Sequence, residues 1–404
     1  MATQINIFRS SEQRRPRAFT LLFAGVLFTS ILPYTRYLPR FVSYALVLAA
    51  YAVIFVYIVR ISPRLVLPRS ILAPLIILSG IFIYHTVISP TIDSAVRTPV
   101  FIFVVFFNLF VIPRFVNLRT YTLTVACLSS VLVFIGLPTV VFGEVSLFGF
   151  SIKPWTNSFR VFGIELFMLN SVMYNSNPFS QFVGIGLISS VWLVAQRASL
   201  PRMSLLGLTA VGLFLSQSRG AILAVGIGLS LYISSMILGM KWLKLSTTGV
   251  LIGAVCGMVV LLMFPSLFDI SLTGRRYLWL AAIEAGGMSP LLGTGPGQTA
   301  EMLRPYLPVE YKGAVVHNSY LRMLVTTGIL GTASYLFIHL DVLRQLLIRG
   351  TTNEEAAIVC IIITGMVMQM FESFSLFGIS STSIIVSISV GLGLNQVLGN
   401  DLIV

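Results

Sequence analysis

The chain has 404 residues, of which 56% are apolar and only 10% charged, and its formal net charge is +13. Soluble domains carry near 25% charged residues, so a water-soluble core is excluded, and the basic balance needs a membrane explanation. The Lys and Arg residues fall in short clusters between apolar runs, a pattern that argues against nucleic-acid binding and for loops between membrane spans.

Crossing about 30 Å of hydrocarbon takes around 20 mostly apolar residues. Twelve runs qualify: 18 to 34, 41 to 59, 71 to 89, 98 to 113, 120 to 138, 179 to 196, 203 to 217, 220 to 239, 246 to 265, 318 to 340, 356 to 372 and 379 to 397. The fourth and seventh are short, which leaves eleven or thirteen crossings as alternatives. Arg9, Arg14, Arg15 and Arg17 precede the first run as in a signal peptide, but no small-residue cleavage site follows, so this run reads as a retained helix. The predicted fold is an all-α polytopic membrane protein forming one domain over residues 1 to 404. No repeat of 20 to 50 residues and no Pro- or Ser-rich linker divides it.

With the N-terminus inside, the inner segments hold that first cluster, then Arg60, Arg64 and Arg69, Arg114 and Arg119, Arg197 and Arg202, Lys241 and Lys244, and Arg344 and Arg349. The short outer loops hold only Arg36, Arg40, Arg97 and Arg219. The asymmetry satisfies the positive-inside rule and places both termini in the cytoplasm. Two long outer segments remain, 139 to 178 and 266 to 317. Cys127, Cys256 and Cys360 lie in apolar runs without metal or disulfide spacing and read as small packing residues.

Chemistry concentrates in the outer segments. Arg160 lies in SFRVFG, upstream of Asn175, Asn177 and Pro178 at the start of the sixth span. In SQSRGAILA, Ser218 stands where it can cap the helix that Arg219 opens, fixing the arginine at the interface. A short helical pattern follows in GRRYLW, with Arg275 and Trp279 four apart on one face. The stretch SPLLGTGPG must turn the chain back, and His317 and Asn318 open the tenth span. Ionised groups at membrane depth cost about 2.5 to 3.5 kcal/mol, so arginines converging on one face point to an anionic ligand.

Simpler readings stand beside these. Arg219 alone is an interfacial anchor, Arg275 and Arg276 a solvated loop pair, and His317 a helix cap or a partner of Asn318. Gly293, Gly295 and Gly297 lack the strand and dinucleotide unit of a phosphate loop and read as turn residues. His85 and His339 read as packing or hydrogen-bonded histidines, and Glu301, Arg304, Glu310 and Lys312 as hydrated surface. No acidic pair of the kind that holds a metal for nucleotide-sugar transfer stands in the outer loops.

SQSRGAILA, then GRRYLW with SPLLGTGPG, then HNSYLRMLVTTGILG resemble the O-antigen ligase and O-antigen polymerase family, and the stretch from Arg160 to Asn177 resembles its upstream motif. The motifs occupy about a fifth of the twelve-span layout, and their order and spacing carry the likeness. The resemblance implies a glycosyltransferase of the cell envelope, as in lipopolysaccharide biosynthesis, acting in the cell (inner) membrane. Its donor would be a polyprenyl diphosphate-linked glycan and its acceptor a hydroxyl such as that of a lipid A-core sugar, on the outer face, with no nucleotide, metal or nucleic acid involved. Carried across, Arg219 and Arg275, with Arg160 and Arg276, would hold the diphosphate and His317 would act at the acceptor, with Asn318 and Trp279 in support. The family's arginine precedes the Trp by four residues, which selects Arg275 over Arg276.

Physical logic agrees: a lipid diphosphate is already a good leaving group, an arginine fork pairs with its oxygens, and a neutral imidazole takes a proton from a hydroxyl. A polymerase joining lipid-linked repeats, an oligosaccharyltransferase and a transporter or flippase are the rivals. A transporter would place ionisable groups at the midplane or show repeated halves.

Overall fold

The computed structural model describes residues 17–61, 67–147, 149–264, 274–297, 299–350 and 352–401. Arg9, Arg14, Arg15 and Arg64, and residues 266 to 273 of the second outer segment, lie outside the described residues.

Among the described residues, twelve helices or helical pairs match the twelve apolar runs. They are α1 (Arg17–Thr29, continued by a 3-10 turn at Leu32–Tyr34), α2 (Arg40–Ile61), α3 (Arg69–Ile88), and α4 (Ile92–Phe106) with α5 (Ile112–Phe115). Then come α6 (Leu118–Phe142), α7 (Ser176–Gln196), α8 (Leu200–Ser216), α9 (Arg219–Leu238) and α10 (Met240–Met263). After two short helices, α11 (Arg275–Met288) and α12 (Thr299–Leu303), the bundle closes with α13 (Ser319–Arg349), α14 (Asn353–Phe371) and α15 (Ser381–Asp401). Among the described residues nine helices are long and apolar enough to cross a membrane, and three shorter apolar ones join them. Bulky apolar residues such as Phe134, Ile237 and Val255 point outward, where only lipid can receive them. The chain is thus an all-α polytopic membrane protein.

The fourth span is longer than its apolar run. Thr91 and Ser94 cap α4 reciprocally, and a π turn at Phe107–Val111 joins it to α5. There the buried Asn108 accepts from the Tyr51 hydroxyl at 2.7 Å and donates to Ser387 at 2.7 Å, tying α2 and α15 to the break.

Burial ranks the helices. The most apolar windows of α7 and α14 are each 83% buried, against 6% for α10, so α7 and α14 form the centre and α10 stands at the edge. Small residues allow the close packing: a Cβ on Gly228 of α9 would stand 2.0 Å from Thr364 Oγ1 of α14, and one on Gly186 of α7 2.2 Å from Ser129 Oγ of α6. Cys360 is buried in α14, whereas Cys127 and Cys256 lie on exposed faces of α6 and α10, so only the first is an interior packing residue.

The first outer segment is not a plain loop. It folds into two antiparallel hairpins, β1 (Val145–Leu147) with β2 (Phe150–Ile152), and β3 (Ser158–Val161) with β4 (Ile164–Phe167). Phe162 and Gly163 join β3 to β4 with positive φ of 48° and 82°, the backbone of a two-residue turn that fits strand twist.

The second outer segment packs a small apolar cluster of its own, in which Leu278, Trp279, Ala282, Leu303 and Val316 meet Val325 of α13. Beneath it α13 is broken: Gly328 has φ 63° and ψ −166°, a conformation essentially confined to glycine. The SPLLGTGPG stretch docks onto the break. Thr294 N donates to Val325 O and Gly295 N to Thr326 O, both at 2.9 Å, while Ile329 N donates to Pro290 O at 2.7 Å. Backbone groups freed by the break are thereby satisfied within the membrane protein. Gly293 and Gly295 take positive φ, as turn residues should, and Gly297 does not. His85 of α3 donates from Nε2 to Leu292 O at 2.9 Å, so this histidine holds the turn against the bundle.

Candidate active site

The two central helices deliver the site. The start of α7 and the end of α14 meet at one end of the bundle, where Asn177 Nδ2 donates to Glu372 Oε1 at 2.7 Å. Glu372 was not foreseen from sequence. Its carboxylate also accepts from Arg275 Nη2 at 2.9 Å, and its other oxygen, Oε2, lies 3.2 Å from His317 Nδ1. A carboxylate can only accept, so Nδ1 is the protonated nitrogen that faces it, and in the neutral imidazole Nε2 is the proton acceptor. The side chains of Glu372, Arg275 and His317 are 17%, 21% and 33% exposed, shielded enough to be held yet open to a ligand.

Each member is fixed by local structure. Asn318 caps α13, its Oδ1 accepting from Tyr320 N and Leu321 N at 3.0 Å, and its Nδ2 donates to Met370 O at 2.9 Å. Ser319 Oγ donates to Glu372 O at 2.6 Å and also bonds Phe374 O, and Tyr320 donates to Met366 O at 2.9 Å. The first turn of α13 is therefore laced to the last turn of α14. That lacing holds His317 at φ 47°, a left-handed backbone that costs a non-glycine residue about 1 to 3 kcal/mol and persists where the surroundings enforce it. His317 is thus neither the helix cap nor a partner of Asn318.

Arg275 opens α11, and Trp279 one turn on is fully buried in the outer apolar cluster. Trp279 therefore anchors the helix that aims Arg275 at Glu372. Arg276 is half-buried, its Nε without a hydrogen-bond partner among the described residues. It takes no part in the carboxylate cluster.

Ser218 does hold the N-cap position of α9, but its hydroxyl makes no capping bond. It donates instead to Asn177 Oδ1 at 3.3 Å. The expected local cap is replaced by a tie between helices, because Gln217 turns the chain with φ 53° and leaves Ser218 beside α7. Arg219 is exposed at this junction. Gly220 brings it close to the end of α14, since a Cβ there would stand 3.0 Å from Phe371 Cβ.

Arg160 stands apart from the cluster, exposed on β3 and cross-strand from Glu165. Glu301, Arg304, Glu310 and Lys312 are exposed, as hydrated surface should be. His339 is buried and bonds Tyr335 O through Nδ1 at 3.0 Å, a histidine inside the bundle.

Glu372 had a legible signal: it is the carboxylate that ends the apolar run from 356 to 372. Ionised groups so placed need a partner, which neighbouring sequence does not supply.

Among solved structures, a chain from work on the structural coordination of polymerization and crosslinking by a peptidoglycan synthase complex aligns with 81% of this chain and 97% of its own, at 13% identity and a TM-score of 0.38. A likeness at that level carries no argument. No curated protein matches. The O-antigen ligase family profile matches residues 204–336, a stretch that contains Arg219, Arg275 and His317.

Proposed function

We propose that the protein transfers a glycan from a polyprenyl diphosphate carrier to an acceptor hydroxyl, such as that of a lipid A-core sugar, in the manner of an O-antigen ligase. The observation that carries this reading is the shared carboxylate of Glu372, bonded by Arg275 and facing His317 Nδ1. Glu372 holds the imidazole so that Nε2 faces the acceptor. There it takes the hydroxyl proton as the acceptor oxygen bonds to the anomeric carbon. The bond from that carbon to the diphosphate oxygen breaks, and the electron pair leaves with the lipid diphosphate.

Charge on the leaving group falls to Arg219 and Arg275. Arg275 spends one Nη2 donor on Glu372, and a guanidinium has five N–H donors, so others remain for phosphate oxygens. In this reading the site end of the bundle faces outward from the cell (inner) membrane, and both termini are cytoplasmic. The basic clusters at the opposite helix ends support that orientation.

The test is purified protein mixed with a polyprenyl diphosphate-linked glycan and candidate acceptors, with products separated on a gel. Glycan joined to a lipid A-core or other non-carrier acceptor is the expected result. A ladder of repeats still on the carrier would make the enzyme a polymerase. Glycan moved across liposomes without any transfer would make it a transporter.

A further inference from the structure

A cavity of about 530 Å³ opens at the same end of the bundle, with Ser319 and Ser373 but not Glu372 in its lining. Its lining joins Arg40 of α2, Arg97 of α4 and Arg322 of α13 to Tyr34, Ser319 and Ser373. Two of these arginines, Arg40 and Arg97, are among the few basic residues that break the inside-positive pattern, and both face this space. Arg97 is neutralised by Asp93 at 2.9 Å. Arg40 and Arg322 have no carboxylate partner among the described residues, and Arg322 also feels the like charge of Arg97. Arg322 is half-buried, and a cation left in this state asks for an anion, with the exposed Arg40 beside it in the same lining. Ser373 adds a second sign, because its hydroxyl is buried without a hydrogen-bond partner among the described residues.

We infer that this cavity is a second anion site, which holds a phosphate or carboxylate group on the lipid-anchored acceptor while the diphosphate occupies the Arg219 and Arg275 side. The inference rests on the transferase reading for its assignment to the acceptor. Two substrates must approach one carbon from separate holds, and the cavity supplies the second hold at the right place. Ser319 lines it and also bonds the Glu372 carbonyl, and Ser373 is the next residue along the chain. A ligand in the cavity is therefore one residue from the carboxylate that orients His317. Tyr44 and Val96, both exposed, flank the cavity on α2 and α4, a wall suited to a head group whose tail stays in the bilayer.

The test uses two probes on the purified full-length protein: dodecyl phosphate for a lipid-borne oxyanion and farnesyl diphosphate for the carrier. Dodecyl glucoside is the neutral control. The double substitution Arg40→Gln, Arg322→Gln should weaken dodecyl phosphate binding about tenfold or more and leave farnesyl diphosphate unmoved. Arg275→Gln should do the reverse. In transfer assays the double variant should raise the acceptor KM and not the donor KM. Equal loss of both probes in the double variant would merge the cavity with the diphosphate site and overturn the inference, as would unchanged dodecyl phosphate binding. Arg40→Gln alone, at an exposed position, decides the question if the double variant fails to fold. Binding needs no transfer, so selective dodecyl phosphate binding without glycan transfer would keep the anion site and remove the transferase reading.

Discussion

His317 Nδ1 lies 3.2 Å from Glu372 Oε2, although the two residues are 55 positions apart and begin and end different helices. The pairing sets the imidazole tautomer, and Arg275 binds the other oxygen of the same carboxylate.

Glu372→Gln keeps the shape of the side chain and removes its charge. Transfer by the purified variant should fall about 100-fold or more, because the amide no longer holds Arg275 by an ion pair and no longer dictates the tautomer of His317. A variant as active as the native enzyme would take Glu372 out of the site.

His317→Ala should lose turnover by about 100- to 10,000-fold while binding of the lipid-linked donor persists. Activity of the native enzyme should decline on the acid side, since a protonated imidazole accepts no proton. Turnover loss without that acid limb would leave His317 a positioning role alone.

The twelve-helix layout was legible in the sequence because lipid imposes a length and composition that any apolar run reveals. Arg275 and His317 were legible through motif order. Glu372 was not: its partners Asn177, Arg275 and His317 arrive from three other segments of the chain, and only the meeting of α7, α11, α13 and α14 brings them together. Ser218 failed for a related reason. A local capping rule pointed to its own helix, and a neighbour 41 residues away won the hydroxyl. The hairpins at 145 to 167 were missed because their short strands lie in a segment read only as the gap between spans.

Gly328→Ala should destabilise the outer half of the protein, by about 1 to 3 kcal/mol from the backbone conformation alone. The added Cβ would also stand 2.4 Å from the Leu291 backbone and push the docked turn off α13. Lower thermal stability of purified protein, with faster proteolysis between residues 289 and 297, is the expected readout. Native stability would mean that the turn does not depend on the break.

Sidedness can be read in intact cells. In a background lacking Cys127, Cys256 and Cys360, Glu301→Cys should react with an impermeant thiol reagent and Lys241→Cys should not. The two positions lie at opposite ends of the bundle, and in the proposed orientation the Lys241 end, with the basic clusters, faces inward. Labelling at Lys241→Cys alone would invert the orientation.

The proposed diphosphate grip is tested most directly by transfer and carrier release measured together, on purified native protein and on Arg219→Ala, Arg275→Ala and their lysine counterparts. Native enzyme should release one lipid diphosphate for each glycan joined. Both alanine variants should nearly abolish the two signals while remaining folded, and lysine should restore little, because a point charge lacks the bidentate fork. Full transfer by both alanine variants, or glycan transfer with no release of lipid diphosphate, would contradict the assignment.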